Sequence, residues 1–151
     1  MVAGSPGHKA PSLSVTYSCH VTSSMDQDIH SSDFNFNSPC PFGLESVVFF
    51  PPCWDGVNLH KSDNSHMAYP LANDARDAPC PISHPVKLPS IQMEYTWTMS
   101  VNKSANLAGN LIWSNGDTTG YGLHADFVNG WVPGVLGAAL NDSTCNTGAS
   151  M

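Results

Sequence analysis

Positive charge is scarce in this sequence: five Lys and Arg stand against twelve Asp and Glu in 151 residues, a net charge of −7. That balance excludes the basic footprint on which nucleic acid or an anionic membrane would dock. Glutamate is almost missing, with Glu45 and Glu94 alone against a majority of Asp. Glu suits helix interiors and Asp does not, so a helical protein is disfavoured. No apolar run is long enough to span a membrane, and residues 1–10 hold no stretch that would serve as the core of a signal peptide. Absent too are a C-x-x-C pair, a G-x-S-x-G elbow, a Gly-rich phosphate loop and an H-E-x-x-H helix. Structural zinc, thioredoxin-type redox chemistry, the serine-hydrolase nucleophile and zincin catalysis therefore have no signature.

What is present points outward from the cell. Only 11% of residues are charged, so solubility rests on Ser, Thr, Asn and Gly, a surface typical of secreted proteins. Cys19, Cys40, Cys53, Cys80 and Cys145 are widely spread, the pattern of disulfides formed in an oxidising compartment. Asn102-Lys103-Ser104 and Asn141-Asp142-Ser143 are acceptor triplets of a glycoprotein. The odd cysteine count and the lack of an export signal together suggest that an upstream part is missing.

The length fits one domain with a core. Residues 13–18 alternate Leu13, Val15 and Tyr17 and read as a strand. Residues 22–39 read as a polar loop in which Asp26, Asp28, His30 and Asp33 face solvent, since the EF-hand glycine and terminal Glu are missing. Residues 46–50 form a second strand, stopped by Pro51-Pro52. Residues 53–89 make a long loop that Cys53 and Cys80 are placed to staple; the pairing taken for the rest joins Cys19 to Cys40 and leaves Cys145 over, with other pairings open. Residues 91–97 alternate most cleanly, with Ile91, Met93, Tyr95 and Trp97 on one face. A further strand is expected at 110–114 and one helix at 133–141, with Val135, Leu136, Ala139 and Leu140 as its apolar face. The expected fold is mainly β: sandwich or jelly-roll-like antiparallel sheets, long disulfide-stapled loops, one short C-terminal helix, and a disordered tail at 146–151.

Chemistry-bearing residues gather in two loops, 53–86 and 114–131. His124 and Asp126 are two apart, so an extended backbone projects both to one face, as two metal ligands or as a His oriented by an Asp. His66 and His84 lie on the stapled loop as imidazole ligands, and Asp55, Asp117 or Asp126 would complete a mixed nitrogen and oxygen shell for a divalent transition metal. Glu94 with Asp55 or Asp117 is the carboxylate pair a glycosidase would need. Trp54, Tyr69, Tyr121 and Trp131 are candidates for stacking on sugar faces. Each has a plainer use, as a loop-fixing hydrogen bonder or a core ring.

These loops are similar to a known family. Cys53-Trp54-Asp55-Gly56, residues 65–70, Cys80-Pro81 with His84-Pro85-Val86, and Asn115-Gly116-Asp117 leading through 120–131 resemble, in this order, family nineteen ninety-six of the domain-of-unknown-function series. The resemblance implies a secreted fungal or actinobacterial protein of uncharacterised activity, often joined to carbohydrate-associated WSC modules. It also implies that the chain is the C-terminal part of a longer domain, a fragment lacking an N-terminal half with a signal peptide and a His-x-His motif. Asp55, His66, His84, Asp117, His124 and Asp126 match recurrent family positions, while Val132 stands where members have Asp and Thr118 where many have Pro.

The expectation is thus a domain of the extracellular space or cell wall that meets polysaccharide through a His/Asp-lined cleft. Its candidate catalytic residues are Asp55, His66, Asp117, His124 and Asp126, and its candidate metal ligands His66, His84, His124 and Asp126. The competing expectations are a non-catalytic wall-associated or stress-related protein, and a truncated gene model without function.

Overall fold

The computed structural model describes residues 1–71, 78–98 and 107–141, the side chain of Leu140 excepted. Asn102, Cys145 and the tail at 146–151 lie outside the described residues. Nine strands and one helix follow in chain order: β1 (Val2–Gly4), β2 (Val15–His20), β3 (Ile29–Ser31), β4 (Gly43–Phe49), β5 (Cys53–Trp54), β6 (Met67–Ala68), β7 (Val86–Lys87), β8 (Gln92–Trp97), β9 (His124–Asp126) and α1 (Val135–Asn141) among the described residues. Among the described residues the fold is mainly β, with antiparallel sheets, one short helix and no closed barrel.

The central sheet runs β3-β2-β4-β8, every pair antiparallel. Register sets Val15 opposite Val48, Tyr17 opposite Ser46 and Cys19 opposite Leu44, so the alternating apolar residues of β2 and β4 share one face. Loops close over that face: Phe34 meets Tyr17 edge-on at 5.7 Å and Trp113 at 5.7 Å, with Phe36, Leu107 and the Cys19–Cys40 disulfide alongside. A two-stranded sheet, β1 with β9, packs Ala3 and Ala125 onto Val48 and Phe50 at the other end of the core. The third sheet, β6-β5-β7, is built of two-residue strands around Cys53 and is tied by Cys53–Cys80. Both expected disulfides are present.

Two sequence expectations, at 22–39 and 110–114, need adjustment, and two that hold are refined. The segment 22–39 is not all solvent loop: β3 pairs with β2, Ser18 Oγ meets His30 Nδ1 at 2.9 Å, and Phe34 and Phe36 are core. Residues 110–114 are no strand; Trp113 N–H donates to Asp117 O at 2.8 Å and Gly116 N–H to Trp113 O at 2.8 Å, so the backbone there closes its own turn. Alternation survives, since Leu111 and Trp113 pack on the core while Ile112 is 67% exposed. Period two reports which way side chains face and not whether a partner strand exists. The cleanest alternating segment forms as expected, as the edge strand β8; Ile91 and Met93 pack on the core while Tyr95 and Trp97 remain 48% and 37% exposed. The helix forms, but Val135 is exposed and only Leu136 and Ala139 of its described apolar face are half-buried.

Candidate functional site

The stapled loop is folded by its own short polar side chains. Asp55 accepts hydrogen bonds from Val57 N–H at 2.9 Å, Asn58 N–H at 2.9 Å and the Asn58 side-chain amide at 2.7 Å. The Asn58 amide, then the Asn58 and Val57 N–H groups, hold this carboxyl well below the usual carboxylate range, and Lys61 at 3.6 Å adds to that. The turn brings Asn58 O to the Trp54 indole, whose Nε1–H donates to it at 2.7 Å. Asp63 accepts from Ser65 N–H at 3.0 Å, and its carboxyl is lowered by that bond and the Ser65 hydroxyl. Asn64 takes the left-handed conformation, φ 59°, which Asn tolerates better than most residues. Two turns meet there, Asn64 N–H to Lys61 O at 3.0 Å and Met67 N–H to Asn64 O at 3.1 Å.

This double turn sends the chain back on itself and sets His60 beside His66, ring centroids 6.2 Å apart and inclined by 50°. Both rings, with Trp54 and Asn64, border a cavity of about 560 Å³. Pro51, Met67, Leu88 and Val2 of β1 supply apolar wall. The Nδ1 of His66 is buried without a hydrogen-bond partner.

Of the candidate catalytic and metal-ligating residues, His66 alone borders the cavity, beside the stacking candidate Trp54. His84 lies close by in the chain's path, but both its nitrogens are engaged: Nε2–H donates to Ser65 O at 3.0 Å and Nδ1 accepts from Ser83 Oγ at 2.9 Å. It holds the residue before His66 in place. His124 and Asp126 do share the outward face of β9, with Ala125 buried between them. His124 Nδ1–H reaches Gly122 O at 3.4 Å, and Asp126 sits opposite Val2, the residue that lines the cavity. Among the described residues, no three His, Cys, Asp or Glu side chains converge as ligands of one metal ion.

Asp117 is 6% exposed and clamps its own loop. It accepts from Thr119 N–H and Oγ1–H, Gly120 N–H and Gly122 N–H at 2.6 to 3.0 Å. Burial raises its pKa, but these donors outweigh burial and leave it below the usual value. Gly120 O in turn accepts from Tyr17 O–H at 2.7 Å, tying the clamp to the core. Glu94 is exposed on β8 opposite Val47 and accepts from the Gln92 side chain. Among the aromatic candidates, Tyr69 donates its hydroxyl to Phe49 O at 2.8 Å, and burial pushes its pKa up to about 12. Tyr121 points its hydroxyl at Asp33 Oδ2 at 3.4 Å, and Trp131 is exposed.

Sequence reasoning missed His60 and Asn64, although five turn-favouring or polar residues between His60 and His66 mark a chain reversal that brings the two rings together. It also missed the buried pair of His20 and Asp28, Nδ1–H to Oδ2 at 2.7 Å, for which the sequence carries no local signal. A row of half-exposed rings, Tyr95 with Trp97 at 6.2 Å and Trp97 with Trp113 at 5.3 Å, went unread as well.

Fold and loops together define a small, disulfide-stapled, antiparallel β domain whose stapled loop borders a cavity. The pattern of the domain of unknown function DUF1996 matches residues 1–131, and the chain belongs to that family. No curated protein and no solved structure matches it. Among the described residues, no helix is long and apolar enough to cross a membrane.

Proposed function

We propose that the chain is a secreted domain that binds uncharged polysaccharide of the cell wall or extracellular matrix in the cavity bordered by Trp54, His60, Asn64 and His66. The cavity itself carries the reading: about 560 Å³ falls in the range of small-ligand pockets and matches a sugar unit or two better than a flat surface would. An apolar wall with an indole accommodates the C–H face of a pyranose, and two imidazoles with an amide supply donors and acceptors for hydroxyls. Two disulfides support an oxidising, extracytoplasmic setting. The net charge of −7 favours a neutral ligand over a polyanion.

Binding is favoured over hydrolysis. Of the three candidate acids, Asp55 and Asp117 direct their oxygen lone pairs at loop N–H groups, and both are held in the ionised form, unsuited to protonating a leaving group. Glu94 is exposed on β8 and does not border the cavity. Retention on insoluble chitin, β-glucan and xylan in EDTA tests the proposal. The wild-type chain is retained on at least one of them and Trp54→Ala and His66→Ala variants, checked for an unchanged fold, are not; equal retention of all three proteins, or of none, refutes it.

A further inference from the structure

The seven histidines are not used alike. His20 is bonded to Asp28, His30 to Ser18, His84 to Ser83 and Ser65, and His124 to Gly122. His8, His60 and His66 have no such commitment among the described residues, and of these three His60 and His66 are the pair placed ring against ring. The exposed His60 ring is open to solvent beside the buried, unpartnered Nδ1 of His66, so neither ring is held by a bond of the fold.

We propose that His60 and His66 form an open two-imidazole site for a first-row transition-metal ion, with Cu²⁺ bound most tightly. With metal–nitrogen bonds of about 2.0–2.1 Å, two imidazoles on one ion have centroids roughly 5 to 6.5 Å apart, depending on the angle at the metal. The observed separation of 6.2 Å falls at the wide end of that range. Neutral imidazole is a preferred ligand of these ions, and the Irving–Williams order places Cu²⁺ first. With no third His, Cys, Asp or Glu converging among the described residues, the other coordination positions are left to water or a ligand hydroxyl. On the same loop Lys61 pairs with Asp55 at 3.6 Å, and Asp63 leaves the stretch with a net negative charge beside the two rings. The site shares the cavity of the binding reading above but needs no polysaccharide.

The test is titration of Cu²⁺ alone into the metal-free chain, followed by calorimetry and electron paramagnetic resonance. One equivalent binds with hyperfine coupling to two imidazole nitrogens. His60→Ala and His66→Ala each weaken it roughly tenfold or more, the loss that even an outer-shell partner carries. His8→Ala and His124→Ala leave it unchanged. His60 is exposed and makes no hydrogen bond among the described residues, so its removal leaves the fold intact, as a thermal melt checks. Absence of binding to the wild-type chain, or undiminished binding by the His60→Ala/His66→Ala double variant, overturns the site. Either result leaves polysaccharide retention in EDTA to be judged separately.

Discussion

At the scale of single residues, the short polar side chains of this protein act mainly on its own backbone. Asp117 is the clearest case, and Asp117→Ala strips a buried set of N–H groups of their acceptor, a loss on the order of 2–3 kcal/mol read by urea unfolding. Its folded-state pKa is depressed, so its contribution is complete above the unfolded carboxyl pKa and is lost as pH falls through the folded value. The Asp117→Asn variant therefore shows a shallower acid-side fall in stability than wild type. Gly120 is constrained from two sides: its φ is +91°, and a Cβ would lie 2.9 Å from both Phe34 Cδ1 and the Tyr17 hydroxyl. Gly120→Ala is expected to cost about 3 kcal/mol or more, since a strained backbone and an overpacked core act together. The sequence announced Asp117 and Gly120 as members of a dense loop, but a catalytic carboxylate and a loop clamp look identical in one dimension. Hydrogen-bond direction separates them.

At the scale of elements, the strands were legible wherever apolar period two coincided with a core, as in β2 and β4. The cleanest alternation, at 91–97, also forms its strand, as the edge strand β8. Only 110–114 was misjudged: it alternates without any ladder among the described residues, because loops can present rings to a core as strands do. The same-face placement of His124 and Asp126 followed from strand geometry and holds in β9. The closeness of His60 to His66 depended on a double turn at Asn64 that no period encodes. The stapled region, with two-residue strands, relies on its disulfide: closing a 27-residue span is worth about 3–4 kcal/mol in the chain-entropy picture. Replacing Cys53 and Cys80 by Ser is expected to abolish amide-exchange protection at Asp55 and Met67 while β2 and β4 stay protected; uniform loss across both regions would show one cooperative unit instead.

At the scale of the whole molecule, composition conveyed the class correctly. Sparse Glu and abundant turn residues implied a mainly β chain, and its five spread cysteines implied disulfides. Composition could not show that three small sheets divide the work, one building the core, one closing its end and one carrying the cavity. A neutral ligand meeting an acidic, sparsely charged surface gives binding that is nearly independent of ionic strength, unlike a polyanion on a basic patch. The most direct test follows the imidazole nitrogens by NMR while soluble chitin, β-glucan and xylan oligosaccharides are added to the metal-free chain. Saturable shifts at His60 and His66, with His20 and His84 unmoved, are the predicted result. Shifts confined to the Tyr95 and Trp97 rings, or none at any histidine, would contradict the assignment of binding to this cavity.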